Sequence, residues 1–461
     1  MFPHPAFDSQ LAKRLASLRG RRRVGDSASV AHSALSKTSW RILPLLGLGY
    51  LFCYLDRLNV SFAATQMNVD LKFSATVYGF GSGFFFLTYA LLEIPSGMVM
   101  PRVGARRWIV RIMISWGAIS AGMMFVRSPL QFYIMRLLLG AAEAGFWPTC
   151  IYYLSSWYPA AHRGRAISRF YCFGGVTGIV GGTASAWLLS LDGLGALRGW
   201  QWLFLLEGLP TVVIGCAMYW LLPDAPASAT WLTDGERKWV VGELASENAR
   251  LAAGKQPHVL RGLRDPLVLQ LAAIACLTIG GYVGFALIAP QVLMTGAHLD
   301  VRHVGYLISC AGVVAVVGML ASGWHSDRLG SRFGHLLIST LLVAAGFAAM
   351  SMARTPAALI TSYLAMSFFW PAVTLSTNLV VTEIVPCRMV AVSVAVINTL
   401  AQLGAFIVPV LWGISKDSTG SYHFGLTLIP LLFLASAAIT VNLRYQIRRK
   451  DVALTAIAAA A

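Results

Sequence analysis

The chain has 461 residues, 57% of them hydrophobic and only 12% charged, with a mean hydropathy of +0.66 and a formal net charge of +17. Soluble domains carry about 25% charged residues, so this composition excludes a water-bathed globule and indicates a polytopic membrane protein. The basic excess fits Lys and Arg collected on cytoplasmic loops, not nucleic-acid binding, since the one basic cluster, RGRRR at 19–23, lies in a short N-terminal arm.

That arm, residues 1–39, is polar and basic and lacks the apolar core and small-residue cleavage site of a signal peptide. Twelve apolar segments of spanning length follow, at 41–64, 77–99, 106–126, 130–153, 165–190, 201–222, 267–291, 304–324, 335–353, 357–380, 389–413 and 424–444. A ~30 Å hydrocarbon core takes about 20 helical residues to cross, and backbone groups in lipid must be satisfied internally, so each segment is expected to be a helix. The longest polar stretch, 223–266, contains TDGERKWVVGELASENAR and reads as a cytoplasmic linker with an amphipathic helix. It divides a six-helix bundle at 40–222 from a second at 267–445, and residues 446–461 form a tail.

Charge asymmetry orients the spans. With the N-terminus inside, 25 of the 36 Lys and Arg fall on cytoplasmic segments, six on outer loops and five within or at the edge of spans. Both termini are therefore expected in the cytoplasm. The halves also repeat. Span 2 ends GMVMPRVGARR, with Gly97, Arg102, Gly104 and Arg106, and span 8 ends GWHSDRLGSRF, with Gly323, Arg328, Gly330 and Arg332, an offset of 226. FWP recurs in spans 4 and 10 at an offset of 223, and Pro159 and Pro386 follow those spans at an offset of 227. Parallel six-helix repeats are a transporter plan with the substrate near the midplane.

The Gly-x-x-x-Asp-Arg-x-Gly-x-Arg pattern after span 8 and its variant after span 2 resemble the signature of the major facilitator superfamily. The resemblance covers residues 40–445. YLDRLNVS in span 1, EIPSGMVMPRVGARRWIVRIMISWG across spans 2–3 and RLLLGAAEAGFWPTCIYYLSSWYP in span 4 are similar to the anion:cation symporter family, especially its bacterial tartrate-, phthalate-, hydroxyphenylacetate- and sugar-acid porters. The resemblance implies an all-α major facilitator fold in the inner membrane that carries a small organic carboxylate together with a proton. It also implies a gating motif at Gly97, Arg102, Gly104, Asp327, Arg328 and Gly330. The family's usual Asp between spans 2 and 3 is Pro101 here, which weakens any charge latch in the N-terminal half. Span 7, GGYVGFALIAPQ, lacks the Arg of vesicular relatives, so a second strong anion clamp is not expected there.

Asp56 and Arg57 in span 1 and Arg136 and Glu143 in span 4 stand out as charges deep in spans. A charge at a span centre costs roughly 2.5–3.5 kcal/mol on insertion scales, so it persists where it faces a cavity, pairs or does work. Tyr50, Tyr54, Arg57 and Ser61 share one helical face, while Asp56 is rotated by about 100°. Arg57 is thus expected to face the cavity and hold a carboxylate through its planar fork, and Asp56 to turn toward span 4 and pair with Arg136. Arg136 and Glu143 lie two turns apart on one face, roughly 10.5 Å along the axis. By the family resemblance, Asp56 and Glu143 couple protons while Arg57 and Arg136 bind the anion or switch partners. Fixed inter-helix ion pairs are the structural alternative for all four. Tyr54, Tyr89, Tyr282 and Asn398 complete the expected substrate site, with Gln291, Asn378 and Gln402 as weaker candidates.

Gly174, Gly178 and Gly182 in span 5 form a small-residue face for close helix packing, and Glu383 and Arg388 flank Pro386 as loop or gate partners. The seven Cys have no metal or redox spacing and no disulfide framework, and no H-E-x-x-H, Walker A or G-x-S-x-G pattern occurs. The expectation is a non-enzymatic, gradient-driven carrier that works as a monomer in the bilayer, with no metal, cofactor or nucleic-acid partner. An exchanger or exporter of the same fold, or a non-transporting membrane sensor, remains the alternative.

Overall fold

The computed structural model describes residues 5–252, 265–329, 331–385 and 390–460. The described residues form helices joined by short turns. In order the helices are α1 (Pro5–Asp70), α2 (Ala75–Val103), α3 (Ala105–Gly122), α4 (Pro129–Glu143), α5 (Phe146–Ser155), α6 (Ala160–Leu189), α7 (Gly199–Leu221) and α8 (Asp234–Ala252). After these come α9 (Pro266–Ala286), α10 (Ala289–Ala297), α11 (Val301–Leu329), α12 (Arg332–Met352), α13 (Pro356–Ile384), α14 (Val390–Thr419) and α15 (His423–Ala460).

Local chemistry sets several starts. Ser74, Ser128 and Thr355 cap α2, α4 and α13 through side-chain oxygens that accept from the third residue onward. Pro129, Pro266 and Pro356 then occupy the first helical position, where a missing N–H costs nothing.

Among the described residues, ten helices are long and apolar enough to cross a membrane. The segments expected to be spans 1 and 4 fall outside that set. The first continues without a break from the basic arm through a 66-residue helix that carries Asp56 and Arg57. The fourth is split at Ala144–Gly145 into α4 and α5. Gly145 has φ 89°, and a Cβ there would run into Ser96 of α2. The left-handed turn and the close approach both call for glycine. The segment expected to be span 7 is likewise divided, between α9 and α10.

In the first half α1 packs on α6 and α7, α2 on α4, and α3 on α7. In the second half α9 packs on α14 and α15, α12 on α13 and α15, and α11 on α13. The halves meet mainly where α2 packs on α14 and α6 on α11. The motif offset pairs α2 with α11, so the two contacts are related by the same internal repeat that the sequence carries.

The amphipathic helix expected in the linker is α8, and it docks on the first half. Glu236 is buried at its first turn and accepts from Ser33 Oγ at 2.6 Å and Lys37 Nζ at 2.8 Å on α1, and from the Thr233 backbone N–H at 2.8 Å. Arg163 at the start of α6 pairs with Glu247 at 2.8 Å, and Trp157 stacks on Trp231 at 5.7 Å. Burial pushes the Glu236 carboxyl upward, but the Lys37, Ser33 and Thr233 bonds outweigh it and bring its pKa down to about 2. The six described cysteines are free, and Cys387 lies outside the described residues.

This anchor predicts a stability change. Glu236→Gln keeps the shape but removes the charge-assisted bonds, and lowers the stability of the detergent-solubilised protein by about 1–2 kcal/mol, because Lys37 is partly exposed. The contribution is full above the ordinary Glu pKa of about 4.3 and is lost as pH falls toward 2. Thermal unfolding of both proteins at pH 7 and at pH 3 checks it, and the difference between them shrinks at the lower pH.

Candidate functional site

The buried charges gather in the first half. α1 delivers Arg57 to the end of α4, where its Nε and Nη2 both donate to Glu143 Oε1, at 2.8 and 2.6 Å. Cys53, one turn back on α1, donates its thiol to the same oxygen at 3.2 Å. Glu143 is fully buried, whereas the Arg57 side chain is 22% exposed. The other Glu143 oxygen has no hydrogen-bond partner among the described residues. Three rings surround the guanidinium, Tyr89 at 4.9 Å and Tyr54 and Phe85 at 5.7 Å. Aromatic faces favour a cation and leave its outer N–H groups for an anion.

Tyr54, half-exposed, and Tyr50 below it join through their hydroxyls at 3.3 Å, which continues the face expected from their spacing. Asn398 reaches across from α14 and donates to both oxygens of Glu93 on α2, at 2.8 and 3.0 Å. Glu93 is buried and within electrostatic reach of Arg57. Tyr282 stacks on Trp370 at 3.9 Å in the second half.

Two expectations are corrected. Asp56 does not pair with Arg136; it accepts from Ser120 Oγ on α3 and from Asn59 Nδ2 at 3.0 Å, and meets Arg136 only through space. The hydroxyl and amide are nearer than the guanidinium, and they satisfy the carboxylate without a second buried charge in contact. Arg136 is 1% exposed, donates to the Gly81 carbonyl at 3.3 Å and lies 4.9 Å from the Phe85 ring, so it is closed off from solvent.

Sequence reasoning missed two buried acids, Glu93 and Glu207. Each is a lone acid in an apolar run, LLEIP and LLEGLP, and the insertion-cost argument applied to Asp56 would have found both. Of the weaker candidates, Gln291 accepts from Tyr422 at 2.6 Å, Gln402 is buried and Asn378 is exposed.

At the motif after α2, nothing lies within 4 Å of where a Cβ on Gly97 would sit, Arg102 is exposed, and Gly104 turns the chain at φ 95°. With Pro101 in place of an acid, Arg106 pairs with Asp224 beyond α7 at 2.9 Å. At the matching motif, Arg328 lies 3.9 Å from the Trp324 ring, while the Asp327 side chain, Gly330 and Arg388 lie outside the described residues.

The halves are joined at one end. The Asp417 carboxylate of α14 accepts from the Ala75 and Thr76 backbone N–H groups at 3.0 and 2.7 Å, and Tyr78 donates to the Leu287 carbonyl at 2.6 Å. Ser309 of α11 meets Thr183 of α6 at 2.9 Å, and a Cβ on Gly312 would overlap the Gly178 carbonyl. At the end bearing the two motifs, no described atom lies within 4 Å of a Cβ built on Gly97. A flank groove of about 750 Å³ between α6 and α11, lined by Trp187 and Tyr306, stands apart from the charged site.

The description Major Facilitator Superfamily matches residues 46–409. A protein named for tartrate transport from Agrobacterium vitis is 39% identical over 89% of this chain and 91% of its own length. NicT of Pseudomonas putida, named for metabolite transport, is 35% identical over 88% and 94%. A bacterial homologue of the human lysosomal transporter Spinster, solved inward-facing and occupied, superposes with TM-score 0.72 at 16% identity, covering 88% of this chain and 96% of that one.

The seam at the closed end makes a prediction. Gly312→Val forces α6 and α11 apart. In a background without native cysteines, a Thr183→Cys, Ser309→Cys pair cross-links readily, and adding Gly312→Val reduces the cross-linked fraction several-fold, as read by gel mobility.

Proposed function

Because the chain belongs to the major facilitator superfamily, we propose that it is a secondary active transporter that imports a small organic carboxylate by proton symport across the bacterial inner membrane. The observation that carries this reading is the Arg57–Glu143 pair, in which Glu143 is fully buried while the Arg57 side chain keeps 22% of its surface exposed. Four buried acids, Asp56, Glu93, Glu143 and Glu207, face two arginines, Arg57 and Arg136. An incoming carboxylate adds a further negative charge. It can take Arg57 only if Glu143 gives it up, and an abandoned buried carboxylate costs several kcal/mol. A proton on Glu143 removes that cost. Anion binding and proton binding are therefore one event, and this is the physical content of symport.

The cycle follows. From the outer side a proton reaches Glu143, Arg57 turns to the substrate carboxylate between Tyr54 and Tyr89, and the halves rock about the site. With the cavity open to the motif end, substrate leaves, the proton follows, and Glu143 recaptures Arg57. Asn398 and Glu93 join the halves beside the site and release one another as the cavity widens. Asp56 stands behind this exchange, and Arg136 holds α4 against α2 through Gly81 and Phe85. Tyr282 lines the second half. Twelve spans in two six-helix repeats, with both termini cytoplasmic, fit the split of basic residues, and a monomer contains the whole site.

A hydroxy-dicarboxylate is the first substrate class to test, because the relative named for tartrate shares 39% identity along nearly the whole chain. The ring-lined cavity makes aromatic acids the second. Purified protein in liposomes, given an inward acid gradient and labelled tartrate, nicotinate and phthalate, accumulates at least one of them, and a protonophore abolishes accumulation. Uptake indifferent to the gradient overturns symport. Glu143→Gln loses accumulation but keeps exchange of the same acid. Arg57→Lys loses the fork geometry and weakens binding about tenfold or more, read by equilibrium binding.

A further inference from the structure

The flank groove of about 750 Å³ between α6 and α11 has no part in the cycle above. It lies at the end where the halves are joined. Ala186 lines it, and a Cβ on Gly305 would meet that residue, so the groove opens directly beside the glycine seam. Each half supplies one wall. Val180, Ala184 and Trp187 come from α6, and Arg302 and Tyr306 from α11. The volume falls within the range of small-molecule sites, about 300–1,000 Å³.

The surroundings are those of lipid. From the groove toward the motif end, the exposed residues are apolar, with Val176 on α6 and Val313, Val317 and Leu320 on α11. Trp187 and Tyr306 are 60% and 59% exposed. Rings of this kind sit at the level of lipid headgroups, with the apolar body against the chains and the polar tip toward the headgroup layer.

Three donors at this level are unspent. The Arg302 guanidinium, the Tyr306 hydroxyl and the Trp187 Nε1–H have no hydrogen-bond partner among the described residues, and Arg302 has no ion pair there. Asp300 acts on Arg302 through space, but its carboxylate accepts from the His303 backbone N–H at 2.8 Å and meets the His303 ring as well. A cation without a contact partner at the edge of a low-dielectric layer attracts an anion, and its planar fork matches a phosphate. A phospholipid brings a phosphate to this depth, joined to chains that suit the apolar walls. A headgroup of net negative charge suits a lone cation best. In a zwitterionic lipid the phosphate charge is already answered by the lipid's own ammonium.

We propose that the groove holds one anionic phospholipid, with its phosphate on Arg302, Tyr306 and Trp187 and an acyl chain between α6 and α11, and that this lipid braces the joined end of the seam. Trp187 belongs to the first half, and Arg302 and Tyr306 to the second. One headgroup bonded to both resists their separation. Binding needs neither substrate nor coupling proton; only the bracing rests on the rocking of the proposed cycle.

Native mass spectrometry of the full-length protein reads the occupancy. The protein is delipidated and then offered equal amounts of phosphatidylglycerol, phosphatidylethanolamine and phosphatidylcholine. One phosphatidylglycerol is expected to be retained several-fold over either neutral lipid. Arg302→Gln removes the preference, and Tyr306→Phe weakens it with the ring intact. Arg354→Gln, at an outer-loop cation that does not line the groove, leaves it unchanged. Equal retention of the three lipids, or a preference untouched by both Arg302→Gln and Tyr306→Phe, means bulk lipid only and overturns the proposal. A second copy of the chain seated in the groove, seen as a dimer that excludes the lipid, overturns it too. The Thr183→Cys, Ser309→Cys pair reads the bracing. In nanodiscs it cross-links several-fold faster in phosphatidylglycerol than in phosphatidylcholine, and Arg302→Gln erases the difference. Selective retention with equal cross-linking rates means a lipid held by one half alone, and the proposal of a brace fails.

Discussion

Everything in the first half is arranged around one problem, how to keep ionic groups inside a body surrounded by lipid. The Arg57–Glu143 contact is the central solution. Two helices that begin at opposite ends of the fold are tied by a single carboxylate oxygen that serves both guanidinium nitrogens and a thiol. Breaking a buried pair by removing one partner costs about 3–5 kcal/mol, so the pair opens only when something replaces what each side loses. In the proposed cycle, that requirement turns a structural tie into a switch. The rings of Tyr54, Phe85 and Tyr89 keep the guanidinium in place when its carboxylate is neutralised, so opening the pair does not release the arginine into the bilayer.

The same constraint explains the irregular helices. α1 and the α4–α5 pair carry Asp56, Arg57, Arg136 and Glu143, and these two expected spans are not among the ten described helices that are long and apolar enough to cross a membrane. The break at Gly145 brings the chain close to Ser96, and Ser96 in turn accepts from Trp108 on α3 at 2.9 Å. A turn that looks like an interruption thus helps to fix the end of α4 on which Glu143 sits. The motif after α2 shows a similar substitution of partners: where Pro101 replaces an acid, Arg106 finds Asp224 past the end of α7.

Much of this was legible in the sequence. Apolar length, the excess of basic residues on one set of loops and three internal matches at near-constant offset identified the membrane class, the expected spans and the repeat. Helical rotation put Arg57 on a face with Tyr54 and separated it from Asp56. Periodicity says which way a side chain points but not which neighbour stands there. It therefore suggested Arg136 for Asp56, where the fold supplies Ser120 and Asn59. Glu93 and Glu207 are each solitary, with no neighbouring charge and no second charge on the same helical face to mark them. The contact of Asn398 with Glu93 spans 305 residues and both halves, and no local pattern encodes it.

The seam between α6 and α11 differs in kind from the charged site. Gly178, Gly182, Gly305 and Gly312 bring backbone against backbone, with the Thr183–Ser309 hydrogen bond beside them, so little of the contact depends on side-chain identity. In the proposed cycle, the surface about which the halves rock is therefore blind to cargo. Descendants of one ancestral carrier can exchange one acid for another by altering the rings and amides around Arg57, while inheriting the seam unchanged. In a family built this way, differences in cargo should be written almost entirely around the cavity, and the glycine seam should read alike in carriers with nothing else in common.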